Sequence, residues 1–336
     1  MSDLIDSKGK IVYSEVIKRY PWVVERGHHA ILSPDSDGLL CGLLMQNLLD
    51  WDIVGYYDAK ILLLRDGLKA SDCVFLDMEI FRDFARSIGQ HMLMNNVRKD
   101  LIKPNWSNFA NCISPNNMRK FDRTHTFKKK YPLGTIHFLL GILGSCFNIE
   151  IKPEAICPLL YTEGTFKNIF GYPDNALDWL SFLCASDGNS PLAKIFFNDT
   201  YTTSNLMFAL NAIFDVITQN GGDGLTVSNS KGEPDNVEHM EGTSLYRVNA
   251  DQVRIAQGFL RYLSTCTGWS VDDNKWSFDK FHVYRFIKGQ MTNPKKGSGG
   301  PSLAKQFDSM LGQNPISWAI TKASQVQYTL EQDKLN

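Results

Sequence analysis

Short apolar runs alternate with helix-like segments along the first part of the chain. The run HHAILSP (28–34) has β character and ends at a proline, and DIVGYYD (52–58) and CVFLD (73–77) are further strand candidates. Between the first two runs, GLLCGLLMQNLLDW (38–51) carries apolar residues at helical spacing. This alternation of strand, helix and strand predicts an α/β fold with a parallel sheet flanked by helices.

The later part of the chain is richer in helical patterns. Apolar stripes predict helices over 173–185, 201–218 and 250–266. Stretches rich in glycine and polar residues predict flexible loops near 219–240 and 293–301. Because 336 residues are many for one core, we expect two domains. These are a sheet domain over 1–185 and a mainly helical C-terminal part over 186–336.

Composition and charge limit the ligands and the cellular compartment that we expect for the protein. The net charge is −1, so binding of a polyanion would need a local basic patch. The seven cysteines are scattered without paired spacing, which favours free thiols in a reducing compartment. The N-terminus has no apolar stretch of the signal-peptide type. The longest apolar run, IHFLLGILGSCF, is about 12 residues long and too short to span a bilayer. We therefore expect a cytoplasmic protein without a membrane partner.

Acidic residues follow two of the predicted strands. Asp35 and Asp37 lie in SPDSDG, between a strand and a helix, and Asp77 ends CVFLD. Ligands bind at the carboxyl ends of parallel strands, and carboxylate oxygens suit Mg²⁺ or Mn²⁺. His91, in GQHM, is a candidate nitrogen ligand. Asx hydrogen bonds in a solvated turn, and an ordinary loop or helix histidine, are the structural alternatives.

The order of these residues resembles the DHH phosphoesterase superfamily over roughly residues 25–185. Asp35 and Asp37 match its first motif and Asp77 its second. Its third motif falls on 89–91, where only His91 is kept. Downstream, CISPNN and YPLGTIHFLL are similar to further segments of the family, and Glu163 corresponds to its fourth acidic motif.

The resemblance implies a metal-dependent phosphodiester hydrolase. It implies catalytic roles for Asp35, Asp37, Asp77 and His91, and a Mn²⁺ or Mg²⁺ site formed by these four and Glu163. The chain departs from the family pattern at Ser33 and at Gly89 and Gln90, where the family carries a histidine, an aspartate and a second histidine. A two-metal site uses several imidazoles and bridging carboxylates. These departures therefore leave loss of catalysis open.

A local basic patch lies in RKFDRTHTFKKKYP (119–132), where aromatic residues are interleaved with charge. Phosphate contacts combined with aromatic stacking are typical of single-strand binding. Its candidate phosphate-binding residues are Arg123, His125, Lys128, Lys129 and Lys130. A solvated loop is the alternative. The glycine-rich segment 293–305 could cradle a phosphate, although a plain linker explains it better.

Two functions follow from these observations. The first is a phosphodiesterase or nuclease that acts on single-stranded nucleic acid or a small nucleotide. The second is a catalytically degenerate DHH-like subunit that binds nucleic acid, a nucleotide or a protein partner. The oligomeric state stays open.

Overall fold

A mixed β-sheet is the centre of the fold. The computed structural model describes residues 2–93, 106–121, 129–292, 301–322 and 325–335, and 11 strands within them form this sheet. Its main path has the order β10-β11-β9-β3-β2-β1-β4-β5-β6, and β7 and β8 join it at β9. The strands are β1 (His29–Leu32), β2 (Asp52–Tyr57), β3 (Ile61–Arg65), β4 (Cys73–Leu76), β5 (Arg86–Ile88), β6 (Cys112–Ile113), β7 (Val237–His239), β8 (Tyr246–Val248), β9 (Phe281–Thr292), β10 (Ser317–Lys322) and β11 (Gln325–Glu331).

Only one half of this sheet is parallel. Strands β2, β1, β4, β5 and β6 pair in parallel, so the α/β prediction is confirmed. The prediction of a parallel sheet is wrong for the whole sheet, because β3 pairs antiparallel with β2. Their connection is a tight turn in which the Asp58 carboxylate accepts hydrogen bonds from the N–H groups of Lys60 and Ile61. Such a short connection can join only antiparallel strands. The pairs β3–β9, β9–β11 and β10–β11 continue that pattern.

Helices cover the parallel half of the sheet. Short 3-10 helices occur at Ser2–Leu4, Pro21–Val24, Ala70–Asp72, Trp106–Phe109, Thr162–Gly164 and Asp273–Lys275. The α-helices are α1 (Tyr13–Arg19), α2 (Ser36–Leu49), α3 (Pro115–Met118), α4 (Thr135–Gly144), α5 (Pro153–Tyr161), α6 (Thr165–Gly171), α7 (Pro173–Phe182), α8 (Pro191–Phe196), α9 (Thr203–Asn220), α10 (Ala250–Thr267) and α11 (Leu303–Leu311). Helices α7, α9 and α10 confirm the three predicted helices in the later part of the chain.

Helix α2 is buried over almost its whole length. It packs against β1, β2 and β4 on one side and against α4 and α10 on the other. Because both sides are covered, almost all of its residues are buried, including Asp37. A helix that is apolar all round is typical of such a position. The first turn of α2 is thereby held rigidly at the carboxyl end of β1.

The long strand β9 ties the end of the chain to the N-terminal sheet. Its first residues pair with β3, and Phe286–Thr292 pair with β11. The C-terminal part thus contributes strands β7–β11 to the sheet beside its helices. Strands from both predicted domains share one sheet, and the boundary at residue 185 stays a prediction.

The structure describes the first predicted flexible loop, 219–240, but little of the second, 293–301. In 219–240, Leu225 and Val227 are buried, and the N–H of Leu225 donates to the Pro34 carbonyl at 2.7 Å. This segment therefore packs against the loop between β1 and α2. Most of 293–301 lies outside the described residues. Within the described ranges, no helix has the length and apolar character needed to cross a membrane.

Candidate metal centre

Asp77 is the buried residue around which the acidic centre is built. It follows β4 directly and is 1% exposed, with a φ of 64°. Its Oδ1 accepts a hydrogen bond from the Thr135 hydroxyl at 2.7 Å and lies 3.4 Å from His91 Nε2. Its Oδ2 is buried and has no hydrogen-bond partner among the described residues. A buried carboxylate oxygen without a partner is costly, so it marks a position where a ligand would be stabilising.

The orientation of His91 is fixed by its neighbours. Its backbone N–H donates to Glu79 Oε2 at 3.0 Å, and its Nδ1 lies 3.3 Å from Gln90 Nε2. The other oxygen of Glu79 accepts from the N–H of Met92 at 3.2 Å. These contacts leave Nε2 directed at Asp77. A half-turn of the Gln90 amide would present its oxygen to Nδ1–H, which is the tautomer that a metal at Nε2 requires.

Glu163 completes a group of three potential ligands. It lies in the 3-10 helix Thr162–Gly164, where its φ of 53° is unusual for a residue with a long side chain. One ligand atom each from Asp77, His91 and Glu163 lies within 4.8 Å of the other two. Ligands about 2.1 Å from a shared ion lie at most roughly 4.2 Å apart. The separation of the three ligand atoms, 4.8 Å at most, is therefore close to that of a bound ion's ligands.

Asp35 and Asp37 lie at the N-terminus of α2 and have different environments. Asp35 caps the helix by accepting from the N–H of Gly38 at 3.1 Å, and it is exposed in the same cleft as Asp77. Asp37 is fully buried and accepts from the N–H groups of Thr135 at 2.6 Å and Ile136 at 3.1 Å. Its two oxygens therefore hold the N-terminus of α4, where a helix favours negative charge.

Thr135 links the two buried aspartates. Its N–H donates to Asp37 and its hydroxyl donates to Asp77, so one residue sets the distance between them. The preceding Gly134 allows this approach, because a Cβ there would lie 3.0 Å from both oxygens of Asp37. Of the five predicted ligands, the structure thus brings Asp77, His91 and Glu163 together. Asp37 lies behind this group and Asp35 lies at its rim.

The centre carries uncompensated negative charge. Removal from water and the charges of Asp77 and Glu163 raise the pKa of Asp35 to about 7. Asp35 is nevertheless exposed, so water screens part of both effects. Burial and the same two charges raise the pKa of Asp37 well above its usual value. Burial also raises the pKa of Glu163, although the neighbouring His91 opposes this effect.

His91 partly offsets this charge. Burial by itself would lower the pKa of the imidazole, but the hydrogen bond and charge of Asp77, together with Glu163 and Glu79, raise it well above its usual value. Without a metal, His91 is therefore an imidazolium between carboxylates. A divalent cation would replace its proton and neutralise more of the surrounding charge.

The acidic centre opens into a cleft with a volume of about 390 Å³. Asp35, Asp77 and His91 line one side of it. The opposite wall comes from the C-terminal strands and includes Lys288, Ser317, Trp318, Gln327 and Tyr328. Because β9 brings these strands to the sheet, the cleft lies between the acidic strand ends and a wall that is more than 200 residues away in sequence.

The predicted phosphate-binding residues are only partly described. Arg123, His125 and Lys128 lie outside the described residues. Lys129 is exposed and lines a separate depression beside Tyr172. Lys130 is half-buried close to the acidic centre: burial lowers its pKa, and the charges of Glu163 and Glu79 oppose this effect. Of the described members of the patch, only Lys130 approaches the centre.

Several residues that contact or surround the acidic centre were not identified from the sequence. Thr135 and Glu79 carry no recognisable motif, although Glu79 stands two residues after Asp77 in an otherwise apolar segment. Gln90 departs from the family pattern, yet it contacts both His91 and Glu163. Lys288 belongs to a strand that was not predicted. Only the position of Glu79, polar within an apolar run, offered a signal.

Comparison with known proteins identifies no relative. No protein-family model, curated protein or solved structure matches the chain. The chemistry of the site therefore follows from its own residues. Two carboxylates and an imidazole can hold one divalent cation, with coordination positions left open toward the cleft.

Proposed function

We propose that the protein is a metal-dependent phosphodiesterase, a hydrolase or nuclease that acts on single-stranded nucleic acid or a small nucleotide. The observation that carries this proposal is the group Asp77, His91 and Glu163, whose ligand atoms lie within 4.8 Å of one another at the base of an open cleft. The unpartnered Oδ2 of Asp77 supports a cation at that point. An imidazole among carboxylates favours Mn²⁺ over Mg²⁺.

Each of the described residues would have its own role in such a site. Asp77, His91 and Glu163 bind the cation, and Asp35 adds a carboxylate at the rim. Asp37 acts through Thr135, because its oxygens already accept two backbone N–H groups. Glu79 and Gln90 orient His91. A bound cation would polarise the phosphate and lower the pKa of a coordinated water.

A phosphate is the substrate group that the charges around the centre favour. Lys130 lies near Glu163, and Lys288 lies in the opposite wall of the cleft. Cations on two sides of a metal centre suit a ligand with negative oxygens. The DHH relationship is part of the proposal. It is supported by the order of Asp35, Asp77 and His91 around one cleft and by Glu163, which has a ligand atom within 4.8 Å of those of Asp77 and His91.

A degenerate binding subunit is the second candidate. Two observations favour it: Gln90 stands where an imidazole would serve a second metal, and Asp37 is engaged by backbone N–H groups. The described ligands are then sufficient for one cation, whereas a two-metal mechanism needs more. This candidate predicts binding of metal and phosphate ligand without turnover.

Metal binding and turnover separate these candidates. Isothermal titration with Mn²⁺ would compare the wild-type protein with Asp77→Asn, a change that preserves the acceptor for Thr135. Asp66→Asn, at an exposed aspartate that contacts His282, is the matched control. We expect Asp77→Asn alone to lose Mn²⁺ affinity at least tenfold.

The same proteins would be incubated with Mn²⁺ and labelled oligonucleotides or dinucleotides. Cleavage that is lost with chelator and in Asp77→Asn supports the enzyme. Metal binding without cleavage of any of these substrates favours the degenerate subunit. No Mn²⁺ binding by the wild-type protein would refute the metal centre itself.

A further inference from the structure

A basic groove continues the acidic cleft along strand β9. It has a volume of about 530 Å³ and is lined by Lys60, Lys231, Arg285 and Lys288. Lys288 and Gln327 line both the groove and the cleft, so the two cavities meet at these side chains. A ligand bound at the acidic centre can therefore extend into the groove without leaving the protein surface.

The positive charge of the groove is largely unpaired. Lys231, Arg285 and Lys288 are exposed and form no ion pair with any described residue. Burial and the charge of Lys60 lower the pKa of Lys288, whereas the charge of Asp58 opposes this effect. Glu233 is the acidic member of the lining and already accepts a hydrogen bond from Asn229. In a chain with a net charge of −1, such a concentration of cations is a local feature.

Beside the groove, part of strand β9 is paired on one side only within the described residues. Arg285 is the last residue of β9 that pairs with β3, and from Ile287 to Thr292 the described ladder has β11 on one side only. Ile287 is 53% exposed beside the cations. Tyr328 lines the cleft and packs on Gly289, where a side chain would overlap its ring. Cations combined with apolar and aromatic surface are typical of single-strand binding sites.

We propose that this groove holds the phosphates of a single-stranded nucleic acid whose reacting end lies at the acidic centre. The proposal rests on the proposed function and selects the chain-like substrate over a small nucleotide. A mononucleotide would fill the cleft alone, whereas the cations of the groove serve only a ligand with several phosphates. Lys288, at the junction, contacts the phosphate nearest the centre.

Fluorescence anisotropy with a labelled single-stranded 12-mer, in EDTA and over a range of salt concentrations, tests the groove apart from catalysis. The variant Lys231→Ala/Arg285→Ala/Lys288→Ala removes three cations from it. Lys8→Ala/Lys18→Ala/Lys194→Ala is the matched control, because it removes equal charge from exposed positions that line neither cavity. We expect the groove variant to lower the salt slope of log affinity by about 2, at roughly 0.7 per contact. The control should keep the wild-type slope.

Four outcomes bear on the proposal. In Lys231→Ala/Arg285→Ala, which keeps Lys288 and changes only residues of the groove, Mn²⁺ affinity and any cleavage of a dinucleotide should be unchanged, while cleavage of the 12-mer falls. An unchanged salt slope would overturn the groove even if the protein cleaves dinucleotides. Equal competition by a ten-residue glutamate peptide would also overturn it, in favour of an acidic protein partner. If the slope falls but no metal binds, the groove stands and the proposed phosphodiesterase fails.

Discussion

Replacing Asp35 by asparagine should make the metal-free protein more stable at alkaline pH. Asp35 caps helix α2 through its hydrogen bond with the N–H of Gly38. Asparagine caps helices about as well as aspartate, so this bond is kept. What is lost is a negative charge close to Asp77 and Glu163, the two carboxylates that help to raise the pKa of Asp35 to about 7.

The size of the effect follows from that pKa. Raising the pKa of a carboxyl from 3.8 to about 7 costs the ionised form roughly 4 kcal/mol, at about 1.4 kcal/mol per pKa unit. Asp35 is exposed, and solvent screening reduces this cost to about 1–2 kcal/mol. Loss of the favourable interaction between the charge and the helix N-terminus removes about 0.5 kcal/mol of the gain. We expect a net stabilisation of about 1 kcal/mol.

Urea unfolding in EDTA at pH 8.5 and pH 5 measures this gain. A raised carboxyl pKa means that the folded protein binds more protons than the unfolded chain between the two pKa values, so stability falls as pH rises from about 4 to 7. The gain from Asp35→Asn should therefore be complete at pH 8.5, smaller at pH 5 and absent only below about pH 4. Asp35→Ala, which also removes the cap, should be about 1 kcal/mol less stable than Asp35→Asn at both pH values. A gain that is independent of pH, or no gain at pH 8.5, would refute the reasoning.

Three other changes test separate parts of the structure. Burial lowers the pKa of His137 to about 4, so the folded protein loses stability as pH falls from about 6.5 to 4. The difference in unfolding free energy between the wild-type protein and His137→Asn should therefore shrink by about 3 kcal/mol over that range. Gly38→Ala should cost about 1–3 kcal/mol, because a Cβ would overlap a backbone oxygen, whereas Gly171→Ala, with open space around it, should be nearly neutral in the same urea assay. Glu79→Gln exchanges an acceptor for a donor beside the N–H of His91 or Met92, and calorimetry should show a roughly tenfold loss of Mn²⁺ affinity in a folded protein.

The loop between β1 and α2 is the part of the site that sequence reasoning could reach. A strand that ends in proline and acids before an apolar helix is a local pattern, and Asp77 repeats it after β4. Because β1 and β4 pair in parallel, with Leu32 opposite Leu76, both acidic ends emerge at one edge of the sheet. Periodicity and pairing rules are sufficient for that inference.

The antiparallel half of the sheet and the far wall of the cleft could not be inferred in this way. The turn Asp58–Lys60 lacks glycine and proline, so β3 was not separated from its surroundings. Strand β9 pairs with β3, which lies more than 200 residues earlier in the chain, and no local sequence pattern specifies that pairing. Glu163 was reached only through the family resemblance, because its turn has no metal-ligand spacing. Contacts of this kind are set by tertiary packing.

The acidic centre is difficult to explain as a device for stability. Asp77 and Glu163 both adopt a positive φ, and such a conformation costs of order 1–3 kcal/mol for a residue other than glycine. Asp77 Oδ2 is buried and has no hydrogen-bond partner in the part of the chain that the structure describes. The pKa values of Asp35, Asp37 and Glu163 are raised. Against a usual stability of about 5–15 kcal/mol, these costs are large.

The alternative explanation, a turn stabilised by Asx hydrogen bonds, would account for the position of Asp35. It would not account for the positive φ of Glu163 or for Asp77 Oδ2, which has no hydrogen-bond partner among the described residues. A cation present at 100 times its dissociation constant adds about 2.7 kcal/mol to the stability of the folded state. One divalent ion can therefore offset the strain of a ligand and remove the repulsion that several neighbours share. We therefore propose that binding of such an ion is the single event that accounts for all of these unfavourable features.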